Sequence, residues 1–201
     1  MYRVPCRFIL CAGLMAGCGH APEAPPTAPT LAPLTAGAMI EARSGSSLAG
    51  EATFTEVEGG VKVVVTVRSA PAGSHAVHIH EKGDCSAPDA ASAGPHFNPD
   101  GHSHGGPGDA QHHAGDFGNM EVGEDGGGTL EITTSGLTIA DGPRSVAGRA
   151  IIVHEKADDF VTQPTGNAGG RIGCGAIARR ARSSPGSGPG SPWPRPWAAS
   201  P

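Results

Sequence analysis

The sequence predicts an all-β protein, a Greek-key antiparallel β-sandwich or barrel of about eight strands with two long functional loops. Short segments rich in Val, Thr and Ile alternate with turns rich in Gly and Ser, as expected for strands joined by tight connections. No long window shows the period of an amphipathic helix. Two polar stretches, residues 81–115 and 155–170, interrupt the strands, and loops of this length are usually functional or disordered.

Six strands are predicted from their composition and bounding turns, at residues 38–42, 48–56, 61–67, 76–80, 128–134 and 150–154. We place the folded domain at residues 35–178 and interpret residues 179–201, rich in Pro, Gly and Ser, as a disordered tail. The tail contains Trp193 and Trp197, whose docking on a partner is the alternative.

The first residues predict an exported protein. Arg3 and Arg7 precede or border an apolar run at residues 8–17, and such a run is a secretory signal too short to span a membrane. We therefore expect a signal peptide at residues 1–17. Ala16 and Gly17 directly precede Cys18, which resembles the processing site of bacterial lipoproteins, whereas an ordinary signal cleaved nearby is the alternative.

Lipid on Cys18, followed by a Pro/Ala/Thr tether at residues 18–34, would anchor the protein to a membrane without embedding it. The expected location is the periplasm or cell envelope. Of the five cysteines, Cys6 and Cys11 leave with the signal and Cys18 would take the lipid, so Cys85 and Cys174 remain as the only pair. In an oxidising compartment such a pair is more often a disulfide than two free thiols.

Charge excludes one class of partner. Residues 36–178 carry 18 acidic and eight basic side chains, and an acidic body argues against binding nucleic acid.

Histidines on two predicted strands indicate a metal site. His78 and His80 are two residues apart, so they share one face of a strand and their imidazoles can converge on one ion. A surface histidine pair is the alternative. His154 ends another apolar strand and offers a third imidazole, and nitrogen-rich coordination suits copper.

The first long loop indicates a second metal site. His96, His104, His113 and Asp116 lie in a segment rich in Gly and Pro, which has little apolar surface to order it, so a bound cation would supply the organising free energy. Three nitrogens and one oxygen suit tetrahedral zinc. The alternative is a low-affinity histidine-rich metal sponge that includes His102 and His112, but a sponge requires no Asp.

The order of these motifs resembles the copper/zinc superoxide dismutase family, in an exported bacterial form. The matching segments cover essentially the whole expected domain and read HAVHIHE (75–81), GPHFNP (94–99), HGGP (104–107), HAGD (113–116), VHEKADD (153–159) and GNAGGRIGCG (166–175).

The resemblance implies a role for each matching residue. The implied copper ligands are His78, His80, His96 and His154, and the implied zinc ligands are His96, His104, His113 and Asp116. His96 would bridge both ions as an imidazolate and act in catalysis. Arg171 would be the catalytic cation beside the copper, and Asp158 would hydrogen-bond His78 and His104. His75 would be structural, and Cys85 and Cys174 would form the family disulfide.

The implied activity is dismutation of superoxide to oxygen and hydrogen peroxide, which would protect the cell envelope from oxidative damage. Residues 86–93 make a longer segment than in eukaryotic members, and residues 160–165 lack lysine. Monomer and homodimer both stay open, because bacterial and eukaryotic members differ in their dimer surfaces. Two rival functions are a non-catalytic copper or zinc carrier on the same fold and a tethered structural module with vestigial sites. Both predict lost ligands, and none is missing.

Overall fold

The computed structural model describes residues 32–181, and this part of the chain folds as β structure with a single 3₁₀ turn at Ala91–Ala93. The strands are β1 Thr35–Ala42, β2 Ala49–Val57, β3 Gly60–Arg68, β4 Gly73–His80, β5 Asp116–Val122, β6 Gly128–Thr134, β7 Ala150–His154, β8 Arg171–Ala176 and β9 Ala178–Arg179.

The sheet closes on itself. Its strand order is β2-β3-β6-β5-β4-β7-β8-β1-β9, and β1 also pairs with β2. The two-residue strand β9 adds only a short pairing to β1, so the barrel has eight principal strands. The connections from β3 to β4 and from β6 to β7 join strands that are not neighbours, as in a Greek key. All the pairings between the strands are antiparallel, which confirms the predicted fold class.

Alternation of side chains builds the core. In β3, Val61, Val63, Val65 and Val67 are buried, while the residues between them are more exposed, because successive side chains point to opposite faces of a strand. The other strands contribute large apolar side chains such as Phe54 to the same cluster.

Strand β4 departs from this pattern in a way that locates the site. Its residues 75–80 are all buried. Val77 and Ile79 belong to the apolar core, so His78 and His80 lie on the opposite face. That face is buried as well, and the two long loops cover it.

The loops occupy the residues predicted for them. Residues 81–115 join β4 to β5, and residues 155–170 join β7 to β8. Strands β4 and β7 are paired through Val77 and Val153, so both loops leave the barrel from adjacent strands. The predicted disulfide is present, with Cα atoms 5.8 Å apart, and it ties Cys85 of the first loop to Cys174 of β8.

The predicted signal peptide, Cys18, and the tryptophans of the tail lie outside the described residues. Within residues 32–181, no helix has the length and apolar character needed to cross a membrane.

Candidate metal centre

Backbone pairing brings the first loop back along β4. The amide of Phe97 donates to the carbonyl of Ile79 at 2.8 Å, and the amide of Glu81 donates to the carbonyl of Pro95 at 3.0 Å. His96 thereby forms an isolated bridge with His80. This return of the chain places a loop histidine next to the histidines of the strand.

The first histidine cluster consists of four buried imidazoles, whose nearest nitrogens all lie within 4.8 Å of one another: His78, His80, His96 and His154. Nε2 of His80 lies 3.4 Å from Nε2 of His154. Nδ1 of His78 and Nε2 of His96 are buried and have no hydrogen-bond partner. Buried polar atoms are normally satisfied, so unpaired nitrogens facing a common point fit a site for a nitrogen-coordinated copper ion.

Outer contacts orient the rings of this cluster. Nε2 of His78 lies 2.7 Å from Oδ2 of Asp158. Nδ1 of His80 lies 2.7 Å from the carbonyl oxygen of Gly94, and Nδ1 of His154 faces the carbonyl of Gly169. Each of these rings therefore keeps its other nitrogen for the cluster, as metal-binding histidines do.

The second histidine cluster contains three imidazoles and one carboxylate, all buried: His96, His104, His113 and Asp116. Nδ1 of His104 lies 2.9 Å from Oδ2 of Asp116 yet is not oriented to hydrogen-bond with it. Nδ1 of His113 lies 3.4 Å from both Oδ1 of Asp116 and Nδ1 of His96. The donor set and its close spacing fit tetrahedral zinc.

His96 belongs to both clusters. Its Nδ1 lies 3.0 Å from Oδ1 of Asp116, whereas its buried Nε2 has no partner. Its ring centre is 4.1 Å from that of His78 and 5.4 Å from that of His113. The two clusters are thus adjacent and share one imidazole.

Asp158 links the clusters a second time. Its Oδ2 contacts Nε2 of His78 and its Oδ1 contacts Nε2 of His104, at 2.7 and 2.9 Å. Asn119 of β5 holds the backbone of Asp158 through two hydrogen bonds, of 2.7 and 3.0 Å. The resemblance implied the role of Asp158, whereas no sequence signal singled out Asn119.

Burial favours the neutral form of three imidazoles of the first cluster, His80, His96 and His154. Burial and the neighbouring His96 lower the pKa of His80 to about 2. Burial lowers the pKa of His96 to about 4, although its hydrogen bond to Asp116 opposes the shift. The pKa of His154 also lies well below its ordinary value, because of burial and the adjacent histidines. Neutral imidazole is the form that binds a metal.

Asp116 stays ionised for a different reason. Burial alone would raise its pKa, but hydrogen bonds with His113 and His96 outweigh that effect and hold the pKa below its usual range. The second cluster therefore offers one anionic ligand together with its imidazoles.

Arg171 lies beside the first cluster. Its guanidinium donates to the carbonyls of Ala90 at 2.7 Å and Gly94 at 2.8 Å. The carbonyl of Gly94 also contacts Nδ1 of His80, so a single backbone oxygen separates the cation from a cluster histidine. Burial lowers the pKa of Arg171, and Asp89 opposes the shift.

The remaining histidines of the described residues lie outside both clusters. His75 is buried, and its ring nitrogens lie 2.8 and 2.9 Å from the carbonyls of His154 and Pro71, which agrees with a structural role. His102 is exposed, and His112 contacts the carbonyl of His113.

Fold and site together define a binuclear metalloprotein, in which a four-imidazole cluster adjoins a cluster of three imidazoles and a carboxylate on an antiparallel barrel. A family model described as copper/zinc superoxide dismutase matches residues 48–177. Superoxide dismutase (Cu-Zn) 2 of Brassica juncea is 45% identical over 128 residues, which make up 61% of this chain and 83% of that protein.

Two solved structures resemble the fold. A crystal structure of the clock protein EA4 is 36% identical with a TM-score of 0.66, covering 76% of this chain and 98% of the other. A double mutant of a SOD-like protein from Bacillus subtilis is 38% identical with a TM-score of 0.65, covering 71% and 96%.

The chain belongs to the copper/zinc superoxide dismutase family. This confirms the family and the enzyme class predicted from the sequence, an oxidoreductase acting on superoxide. It also confirms copper and zinc as the cofactors.

Proposed function

We propose that the protein dismutates superoxide with a copper ion held by the first histidine cluster and joined through His96 to a structural zinc ion in the second. The observation that carries this proposal is the placement of His96, whose Nδ1 faces Asp116 and whose Nε2 is buried without a partner beside His78. Only a shared imidazolate can bind two ions through both ring nitrogens.

Copper, when bound, supplies the one-electron redox change that zinc cannot supply. The residues of the protein hold the proton that the reaction needs and attract the superoxide anion. Dismutation converts two superoxide ions and two protons into one molecule each of oxygen and hydrogen peroxide. Nε2 of His96 is the atom at which a proton would be held between the two half-reactions, because Nδ1 stays directed at the second cluster.

Arg171 attracts the substrate. The folded domain is acidic overall, so a small anion approaching it is repelled at long range. A guanidinium held on the carbonyls of Ala90 and Gly94 places a fixed positive charge beside the first cluster. Such a local cation raises the concentration of an anionic substrate at the reaction centre.

Electron paramagnetic resonance tests the shared imidazolate. The protein is loaded with copper and either Zn²⁺ or Co²⁺ in the second cluster. We expect the copper signal to be normal with diamagnetic Zn²⁺ and strongly reduced with paramagnetic Co²⁺, because a bridging imidazolate couples the two spins. The His113→Ala protein, which lacks a ligand of the second cluster alone, is the control. An identical copper signal with either ion would rule out the bridge.

We further propose that the protein acts in the bacterial cell envelope, as a lipoprotein anchored at Cys18, where it removes superoxide before it damages envelope components. The proposal is supported by the leader pattern of residues 1–18. The disulfide between Cys85 and Cys174 agrees with an oxidising compartment.

A further inference from the structure

Gln163 of the second loop pairs with the backbone of His104 in the first. The amide of His104 donates to Oε1 of Gln163 at 2.8 Å, and Nε2 of Gln163 donates to the carbonyl of His104 at 2.8 Å. A single carboxamide therefore satisfies both backbone groups of a residue in the second cluster. The pairing imitates the exchange of hydrogen bonds between two antiparallel strands.

The same loop holds the ring of His104. Oδ1 of Asp158 lies 2.9 Å from Nε2 of His104. Gly166 packs directly on this contact, since a Cβ atom there would lie 2.6 Å from that Nε2 and overlap Asp158. The side chain of His104 is fully buried. Residues 155–170 thus grip His104 at its ring and at its backbone.

Local hydrogen bonds fix the part of the loop that carries Gln163. Oδ1 of Asp159 accepts from the amide of Thr162 at 2.8 Å, and Oδ2 accepts from the hydroxyl of Thr162 at 2.6 Å. The amide of Gly166 donates to the carbonyl of Thr162 at 2.7 Å. Because these contacts do not involve the first loop, Gln163 can act as a pre-formed support for it.

His104 needs such support. It lies in a stretch of Gly and Pro without strand pairing, residues 101–108, and the entropy of ordering such a backbone is high. Its Nδ1 must nevertheless point into the second cluster. Two hydrogen bonds to the backbone restrict the orientations from which that nitrogen can be presented.

We propose that Gln163 is a positioning residue for zinc, acting through the backbone of His104. The proposal rests on the proposed zinc ligands but not on dismutation. Removing an outer partner of a metal ligand typically costs about 10–100-fold in metal affinity, and we expect Gln163→Ala to weaken Zn²⁺ binding within that range. Gln163→Glu keeps the acceptor for the His104 amide and loses the donor to the His104 carbonyl. The Zn²⁺ affinity of this variant should therefore lie between that of the unmodified chain and that of Gln163→Ala.

The test uses the full chain. Zn²⁺ affinity is measured by competition with a chelator, and the visible absorption of Co²⁺ reports the ligand geometry. Val161→Ala is the matched control, since Val161 lies in the same loop and is 73% exposed. His113→Ala identifies which part of the Co²⁺ signal belongs to the second cluster.

Weaker Zn²⁺ binding and an altered Co²⁺ spectrum in Gln163→Ala, with Gln163→Glu intermediate and Val161→Ala normal, would support the inference. Normal affinity and a normal spectrum in both Gln163 variants, while His113→Ala loses the signal, would overturn it and leave the proposed function intact. If His113→Ala also keeps the whole signal, the zinc ligand set is wrong, and the inference and the proposed function fail together.

Discussion

His96 shows how one residue acquires two roles from its position. Strand alternation alone places His78 and His80 on one face, but it does not say what joins them. The bridge of His96 to His80 brings a loop histidine beside the strand, with its Nδ1 3.0 Å from Oδ1 of Asp116. An ordinary buried imidazole has one nitrogen protonated and the other accepting, whereas here the two nitrogens face different clusters.

Arg171 is the residue that we propose attracts the substrate through its charge. We expect Arg171→Glu to slow superoxide consumption about tenfold or more and to change its dependence on ionic strength, because electrostatic attraction raises encounter rates by about 10–10³ and is screened by salt. Stopped-flow rates across a salt series measure both effects.

The matched control is Arg179→Glu, which makes the same charge change on β9, where the arginine pairs with Asp141 at 2.8 Å. Both variants must carry the same copper and zinc content as the unmodified chain. Equal rates and equal salt slopes for Arg171→Glu and the control would remove Arg171 from this role.

At the scale of elements, the first loop is held by a crosslink and side-chain contacts, whereas the strands are held by backbone pairing. The first loop is fastened by the disulfide from Cys85 to Cys174 across 89 residues. The guanidinium of Arg43 also contacts the carbonyl of Cys85 at 2.9 Å. This fastened segment includes Ala90 and Gly94, whose carbonyls hold Arg171.

Replacing Cys85 and Cys174 together with Ser should lower the free energy of unfolding of the metal-free protein by about 4 kcal/mol, because the unfolded chain regains the freedom of a long loop. Urea unfolding of the oxidised protein and of the double variant measures the difference. Coincident unfolding curves would show that the crosslink does not stabilise the fold.

The sequence predicted some elements far better than others. Strand β3 was predicted because it is rich in Val and Thr and follows a Gly turn at residues 58–60. Strand β8 was not, since Gly173 and Gly175 weaken any strand pattern. Gly173 is needed only because Leu48 and Ile40 pack where its side chain would be, at 2.8 and 2.9 Å, and tertiary packing of this kind leaves no local signal.

Strand β5 and the roles of the side-chain amides of Asn119 and Gln163 were also not predicted from the sequence. β5 begins at Asp116 and contains Gly118 with a φ of 84°, so its alternation is interrupted. The metal-ligand candidates were predictable because imidazoles and carboxylates are common metal ligands, and their spacing can be read from the sequence. Asn119 and Gln163 act through backbone contacts between residues 39 and 59 positions apart, which composition does not reveal.

In the whole molecule, the barrel and the loops supply the residues of the two clusters in different proportions. Three residues of the first cluster, His78, His80 and His154, lie on the paired strands β4 and β7. In the second cluster only Asp116 lies on a strand. The first cluster is therefore built mainly on the barrel, whereas the second cluster depends on how the loops are ordered.

The proposed anchor concerns the molecule outside residues 32–181. If Cys18 carries lipid, Cys18→Ser should move the protein from the membrane pellet to the soluble fraction after cell lysis, because the lipid supplies the membrane affinity. Immunoblots of the separated fractions measure the change, and the unmodified chain is the reference. An unchanged membrane fraction would exclude Cys18 as the anchor.

Superoxide consumption by the metal-loaded protein is the most direct test of the central claim, that copper in the first cluster performs dismutation while zinc supports it. Protein loaded with copper and zinc should consume superoxide rapidly, and zinc-only protein should not. His154→Ala should retain zinc, because His154 lies outside the second cluster, and should lose the activity. Equal consumption by zinc-only and copper-containing protein, or full activity in His154→Ala, would contradict the account.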